Sequence, residues 1–375
     1  MLAIARITLR EIVLPLKEAF QISSGTETQR RILLLQVEDA DGRESWSECV
    51  AGSQPNYSPE TIDTAWLAIR EWVAPRLLGR EFETPHTVSQ ILEQNFRGHN
   101  MAKAAVEMVT WELMAQIQEV SLARLLGGTR KKIATGISLG IQKDPEALIE
   151  RVQQSLNAGY RKIKIKIKPG ADVDYVRAVH QTFGTEAPLM VDANNAYRLS
   201  DLGLLQQLDD FGLMMIEQPL AWDDLVQHAK LQKQLKTPIC LDESIISLAK
   251  ARDMVELGSG KIVNIKPGRL GGFAASIAVH NFCAEHQIPV WCGGMLESGV
   301  GRAYNVALAS LPNFSLPGDV SPSARYWERD IVTPEWTMDD HGMVAVPMDR
   351  VGMGVQVDVD RVENLTVRHQ VLSRK

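Results

Sequence analysis

Short apolar runs that stop abruptly at a charged residue recur through the middle of the chain. LMVD ends at Asp192, MMIE at Glu217, ICLD at Asp242 and IVNIK at Lys266, while KIKIKIK upstream carries Lys166 near its end. Successive charges lie 26, 25, 25 and 24 residues apart. That interval accommodates one strand, one helix and two loops, and a fixed period of this size marks a repeated supersecondary unit. Helical periodicity appears between the runs, at roughly 145–158, 172–183, 200–210, 223–235, 247–257, 272–286 and 299–310. TGISLG (135–140) precedes the lysine run, and PVWCGG (289–294) and FSLPGD (314–319) follow the last charged one. The alternation therefore predicts a (β/α)7β TIM-like barrel over residues 131–334.

The flanks read differently. Strand-like alternation at 2–14 and 31–38, a turn at Asp41-Gly42 and a strand through Trp46 are followed by helical patterns at 60–78, 85–97 and 100–118. Residues 1–130 are thus expected to form an α+β capping domain. Its polar stretches 17–29, around Phe20, and 49–61, around Gly52, are expected to be mobile surface loops. The tail from about 335 to 375 reads as strands again and is expected to return to the N-terminal domain.

Barrel geometry turns the period into chemistry. The lysine run is the second barrel strand, the carboxylates end the third to fifth, and Lys266 ends the sixth. Each charge then lies at the C-terminal mouth, where barrels of this kind carry their active sites. In a ring of eight, strands two and six face each other, with the carboxylates on the arc between them. Lys162, Lys164, Lys166 and Lys168 alternate with isoleucines, so strand period points the lysines inward and the isoleucines under the helices. Crowded ammonium groups lower one another's pKa, which predicts a lysine base in Lys166 beside Lys164.

Taken singly, Asp192, Glu217 or Asp242 would be an acidic helix cap; three at one period reverse that reading. Three carboxylates converging in a water-poor site require a cation. All-oxygen ligands point to Mg²⁺ or Mn²⁺ rather than zinc. Asn194, Asn195 and Glu243 adjoin these positions, as supporting or substrate contacts or as helix caps. Gly293-Gly294-Met295 would let backbone approach a ligand. None of the eight histidines ends a predicted strand, and no Gly-x-Ser-x-Gly elbow is present. A divalent ion could hold a substrate carboxylate while one lysine removes the α-proton and the opposite one returns it or stabilises the charge.

Composition narrows the partners. A net charge of −6 argues against nucleic acid and anionic membranes. No apolar run approaches the ~18 residues of a membrane span, and the N-terminal stretch is interrupted by Arg6, Arg10 and Glu11, unlike a signal peptide. The four scattered cysteines are expected as reduced core thiols, and the location as cytoplasmic.

These residues resemble the enolase superfamily. Lys164-x-Lys166, Asp192, Glu217, Asp242 and Lys266 match its muconate-lactonizing branch. VDANNAY, IEQPL, PICLDES, IVNIKPGRLGG, PVWCGGMLESGVGRA and ASLPNFSLPGD are similar to the o-succinylbenzoate synthase and N-succinylamino acid racemase subfamily. The resemblance spans essentially the whole chain. It implies the enolase fold, with Mg²⁺ on Asp192, Glu217 and Asp242 and with Mn²⁺ or Co²⁺ as substitutes. Lys166 and Lys266 would be the acid/base pair. Lys164, Ser138, Asn194, Gly294, Met295 and Leu296 would contact substrate, with Phe20 in a closing loop. Arg269 and Glu243 would stand behind them, Arg269 resembling the form with racemase activity. Lys168 departs from the pattern, where Glu is usual.

The implied activities are dehydration to o-succinylbenzoate in menaquinone biosynthesis and racemisation of N-succinyl or other N-acyl amino acids. Dipeptide epimerase and muconate cycloisomerase are the alternatives within the branch; a non-catalytic metal- or ligand-binding barrel is the alternative outside it. The partner implied is a small carboxylate substrate, and by analogy a homo-oligomer is expected.

Overall fold

Four strands of a five-stranded antiparallel sheet form one face of the N-terminal domain in the computed structural model, which describes residues 1–22 and 25–374. They are β1 (Leu2–Ile22), β2 (Gly25–Asp39), β3 (Glu44–Cys49) and a last strand, Thr366–Ser373, which pairs with β1. The sheet is buried on both sides. Leu33, Leu35 and Val37 enter the domain's own core, while Ile32 and Leu34 face the core shared with the barrel. That explains the unbroken run ILLL in β2, since a strand covered on both faces need not alternate. In β1 the buried set moves from Ile7 and Leu9 to Ile12 and Leu14 at a register shift between Glu11 and Ile12. Ordinary alternation accounts for the change, since odd and even positions of a strand face opposite sides; the extra residue of the shift, Val367, belongs to the last strand.

The stretch 17–29 corrects the expectation of a loop. β1 continues to Ile22 and β2 begins at Gly25, with Phe20 opposite Glu27; residues 23 and 24 lie outside the described residues. The stretch 49–61 is a non-regular segment, but it is tied down. Glu60 accepts hydrogen bonds from the backbone nitrogens of Met101 (2.9 Å) and Ala102 (3.1 Å).

Helix Asn100–Ile117 is apolar nearly all round and is buried from Met101 to Ala115, as a helix sandwiched between layers must be. Its Glu107 accepts from Phe273 N (2.8 Å) and Ala274 N (3.0 Å), capping a barrel helix from the other domain.

Seven parallel barrel strands follow in order: Ile137–Leu139, Ile163–Lys166, Leu189–Asp192, Ile216–Glu217, Ile239–Leu241, Ile262–Ile265 and Val290–Cys292. FSLPGD closes the ring without forming a regular eighth strand. Gly318 makes a single parallel bridge to Thr135, and Asp319 N donates to Cys292 O (2.8 Å). Pro317 has no N–H to offer a ladder, which limits this segment to isolated bonds. The predicted helix at 200–210 is broken into a four-residue α segment, Leu202–Leu205, between 3₁₀ turns.

The tail touches the barrel before it returns to the N-terminal sheet. Met343–Ala345 pairs with Lys132–Ala134 beside the barrel, and Gln356–Val357 pairs with Val332–Thr333. Only Thr366–Ser373 rejoins the N-terminal sheet.

Candidate active site

Each strand end delivers its charge to the barrel interior. Register places Ser138 beside Lys164, Lys166 beside Asp192, and Asp192 beside Glu217. Lys166 Nζ lies 2.6 Å from Asp192 Oδ2 and 2.7 Å from Asn194 Oδ1. Lys164 Nζ reaches Asp319 Oδ2 (2.6 Å), Glu217 Oε2 (3.2 Å) and Asp192 Oδ2 (3.5 Å). From the sixth strand, Lys266 Nζ pairs with Asp242 Oδ2 at 2.8 Å. Arg269 also binds Asp242, donates to Ile245 O (2.8 Å) and lies 3.1 Å from the Tyr57 hydroxyl. Tyr57 reaches from the capping domain, with its hydroxyl 2.8 Å from Asp242 Oδ1 and its ring centroid 4.4 Å from Lys266 Nζ.

The surroundings hold these groups in place. Asn264 Nδ2 donates to Glu217 Oε1 (2.7 Å), and Gln218 Oε1 accepts from Asp242 N (3.0 Å). Glu243 Oε1 accepts from Asn194 (3.3 Å) and Asn195 (3.1 Å). Asn194, Asn195, Gln218 and Leu296 all have positive φ. Non-glycine residues held there are strained, and such strain clusters at functional sites. Met295 N donates to Glu297 Oε1 (2.9 Å), the Ser138 hydroxyl has no protein partner, and Phe20 lies beside Leu139 at the end of the first barrel strand. Gly293 leaves no room for a side chain: a Cβ would sit 2.2 Å from Asn264 Oδ1 and 2.5 Å from Lys266 Cε. Gly293→Ala should displace Lys266 and lower turnover about 10²-fold. Steady-state kinetics beside a melting curve will separate that loss from unfolding.

Comparison with known proteins agrees with this geometry. Residues 147–362 match the family model described as enolase C-terminal domain-like, and residues 4–127 match the mandelate racemase / muconate lactonizing enzyme N-terminal domain. The chain belongs to the enolase superfamily. It is 49% identical to an o-succinylbenzoate synthase of Geobacillus kaustophilus, over 96% of this chain and 95% of that one. It is 46% identical to an N-succinylamino acid racemase of Thermus thermophilus, over 97% and 98% respectively. A crystal structure of an enolase-superfamily member from Listeria innocua superposes with a TM-score of 0.95 at 38% identity, covering all of both chains.

Electrostatics in this superfamily member are set by the carboxylates around Lys164 and Lys266. Burial alone would lower the Lys164 pKa, but Asp319, Glu217 and Asp192 raise it well above the ordinary lysine value. Lys266 is likewise raised: burial opposes the shift, and Asp242 and Tyr57 outweigh it. At both, contact with carboxylates outweighs lysine–lysine repulsion. Burial also disfavours the charged carboxylates, yet Lys266 and Arg269 hold Asp242 down to about 2. Burial and the neighbouring Asp192 push Glu217 up to about 8. Burial, with Asp242 and Asp192 beside it, pushes Glu243 up to about 7.

As the side chains stand, no three His, Cys, Asp or Glu side chains among the described residues are arranged as ligands of one ion. Asp192 and Asp242 are instead turned to ammonium groups. The donor set nevertheless suits a hard divalent cation: three buried carboxylates end adjacent strands, and burial with the neighbouring Asp192 makes one of them, Glu217, resist ionisation.

Tyr57, Asn264, Gln218 and Asp319 were not singled out from the sequence. Asp319 carries the same signal as the others, a charge ending the FSLPGD run. Tyr57 had no such signal, because it lies in the irregular segment 49–61. The four cysteines are free and buried, and no helix among the described residues is long and apolar enough to cross a membrane.

Proposed function

We propose that this enzyme moves the α-proton of a small carboxylate substrate, with Lys166 and Lys266 as the acid/base pair. The observation that carries the reading is the placement of two ammonium groups, Lys266 buried and Lys166 half-buried, on the sixth and second strands, with the carboxylate-bearing strands between them in the sheet order. Lys166 takes the proton from one face of the α-carbon. Lys266 either returns a proton to the opposite face, inverting the centre, or holds the developing negative charge as a cation. Lys164 meets the substrate carboxylate, and Ser138, Asn194 and the backbone at Gly294, Met295 and Leu296 orient the remainder, with Phe20 over the mouth.

Asp192, Glu217 and Asp242 would hold Mg²⁺, with Mn²⁺ or Co²⁺ in its place. When bound, the ion supplies positive charge against the second negative charge on the substrate carboxylate. To receive it, the side chains of Lys164, Lys166 and Lys266 release these carboxylates and turn to the substrate.

The activities of the named relatives are two uses of that one step: dehydration to o-succinylbenzoate, and racemisation of N-succinyl or other N-acyl amino acids. The test incubates each enantiomer of an N-succinyl amino acid in D₂O with Mg²⁺ and follows the α-proton by NMR, beside an assay with the cyclohexadiene acid precursor of o-succinylbenzoate. The intact protein should exchange both enantiomers, and chelation of the metal should abolish exchange. Cation affinity should rise with pH up to about 8, because Glu217 must shed its proton to bind. Exchange that continues in chelator, or inactivity on both substrate classes, would overturn the reading.

A further inference from the structure

Beneath the proposed reacting groups lies a second charge cluster that neither the cation nor the proton transfer uses. Lys162, on the same face as Lys164 and one pleat deeper, is fully buried. Its Nζ lies 3.1 Å from Asp319 Oδ1 and 3.3 Å from the centroid of the Trp291 ring. Asp319 is itself clamped: its nitrogen donates to Cys292 O (2.8 Å), and its carbonyl accepts from Arg302 Nη1 (3.0 Å). Its other carboxylate oxygen, Oδ2, lies 2.6 Å from Lys164 Nζ, the shortest of the three carboxylate contacts of Lys164.

Asp192 and Glu217, the other two partners of Lys164, are both assigned to the cation. Once they turn to it, Asp319 is the carboxylate left to hold Lys164. We infer that Asp319, anchored by Lys162, is the positioning residue that draws Lys164 off the cation-binding carboxylates and steadies it for the substrate carboxylate. This rests on the reading of Lys164 given above. A merely structural ion pair at the base of the barrel would leave cation and substrate binding unchanged whenever the fold survived.

The experiment compares Asp319→Asn, Asp319→Glu and Lys164→Met by Mn²⁺ affinity, from the paramagnetic resonance of the free ion, and by KM and kcat for an N-succinyl amino acid. Melting curves accompany each variant. In Asp319→Asn, Lys164 is left with Asp192 and Glu217 alone and competes with the ion. Mn²⁺ binding should weaken about 10- to 100-fold, with KM rising more than kcat falls. Asp319→Glu, which restores the charge, should recover part of both. Lys164→Met should raise KM without weakening Mn²⁺ binding.

A folded Asp319→Asn with wild-type Mn²⁺ affinity and KM, or equal defects in the Asn and Glu variants, overturns the inference. If Lys164→Met leaves KM unchanged, the reading of Lys164 fails and the inference falls with it. If Lys164→Met raises KM and Asp319→Asn does not, only the positioning role falls. Should Asp319→Asn not fold, Lys162→Met carries the test, since it removes the anchor and keeps the Asp319–Lys164 pair. The same direction is expected at smaller size, and wild-type values overturn the inference.

Discussion

Alanine at Lys166 or at Lys266 should leave proton exchange at no more than one enantiomer of an N-acyl amino acid. The two ammonium groups reach the site from the second and sixth strands, which lie apart in the sheet order. On the proposed reading each serves one face of the α-carbon. Loss of a positioned acid/base group lowers the rate about 10²- to 10⁴-fold, so the missing enantiomer should fall by that factor in D₂O exchange followed by NMR. Racemisation requires both faces and should disappear in either variant. Dehydration should depend on Lys166 as base and on Lys266 through its charge. Exchange of both enantiomers by both single variants would dismiss the two-base assignment.

The largest effect on stability is expected at Asp242. Its carboxylate is the shared counter-ion of Lys266 and Arg269 and also accepts from Tyr57. Both cations are buried, at 6% and 3% exposure, so neither has much water to turn to. Removing one partner of a buried ion pair costs about 3–5 kcal/mol because the remaining charge is left uncompensated. Asp242→Ala should lose that much in urea unfolding without divalent cations, and Asp242→Asn, which keeps the shape and some hydrogen bonds, should lose less. A loss below about 1 kcal/mol, the range of exposed pairs, would show that the cations find other partners.

The barrel and the positions of Lys166, Asp192, Glu217, Asp242 and Lys266 were legible because their signal is local. Strand period, helix period and a terminal charge repeat within each unit, and every unit repeats the message. Lys164 was placed on the correct face for the same reason. Its surroundings were not legible: the sequence shows the lysines beside one another, whereas the fold puts Asp319, Glu217 and Asp192 around it.

Other features were hidden because they join distant residues. Tyr57 meets Asp242 across 185 positions. FSLPGD was readable as the closing segment, but only the ring shows that it makes isolated bonds and that Asp319 faces Lys162 and Lys164. By itself the sequence determined the repeating unit and which end of each strand carries charge, because backbone periodicity depends on near neighbours. The tertiary structure decided which charges pair, how the cap reaches the barrel and how the ring closes, because those contacts arise from packing elements far apart in the chain.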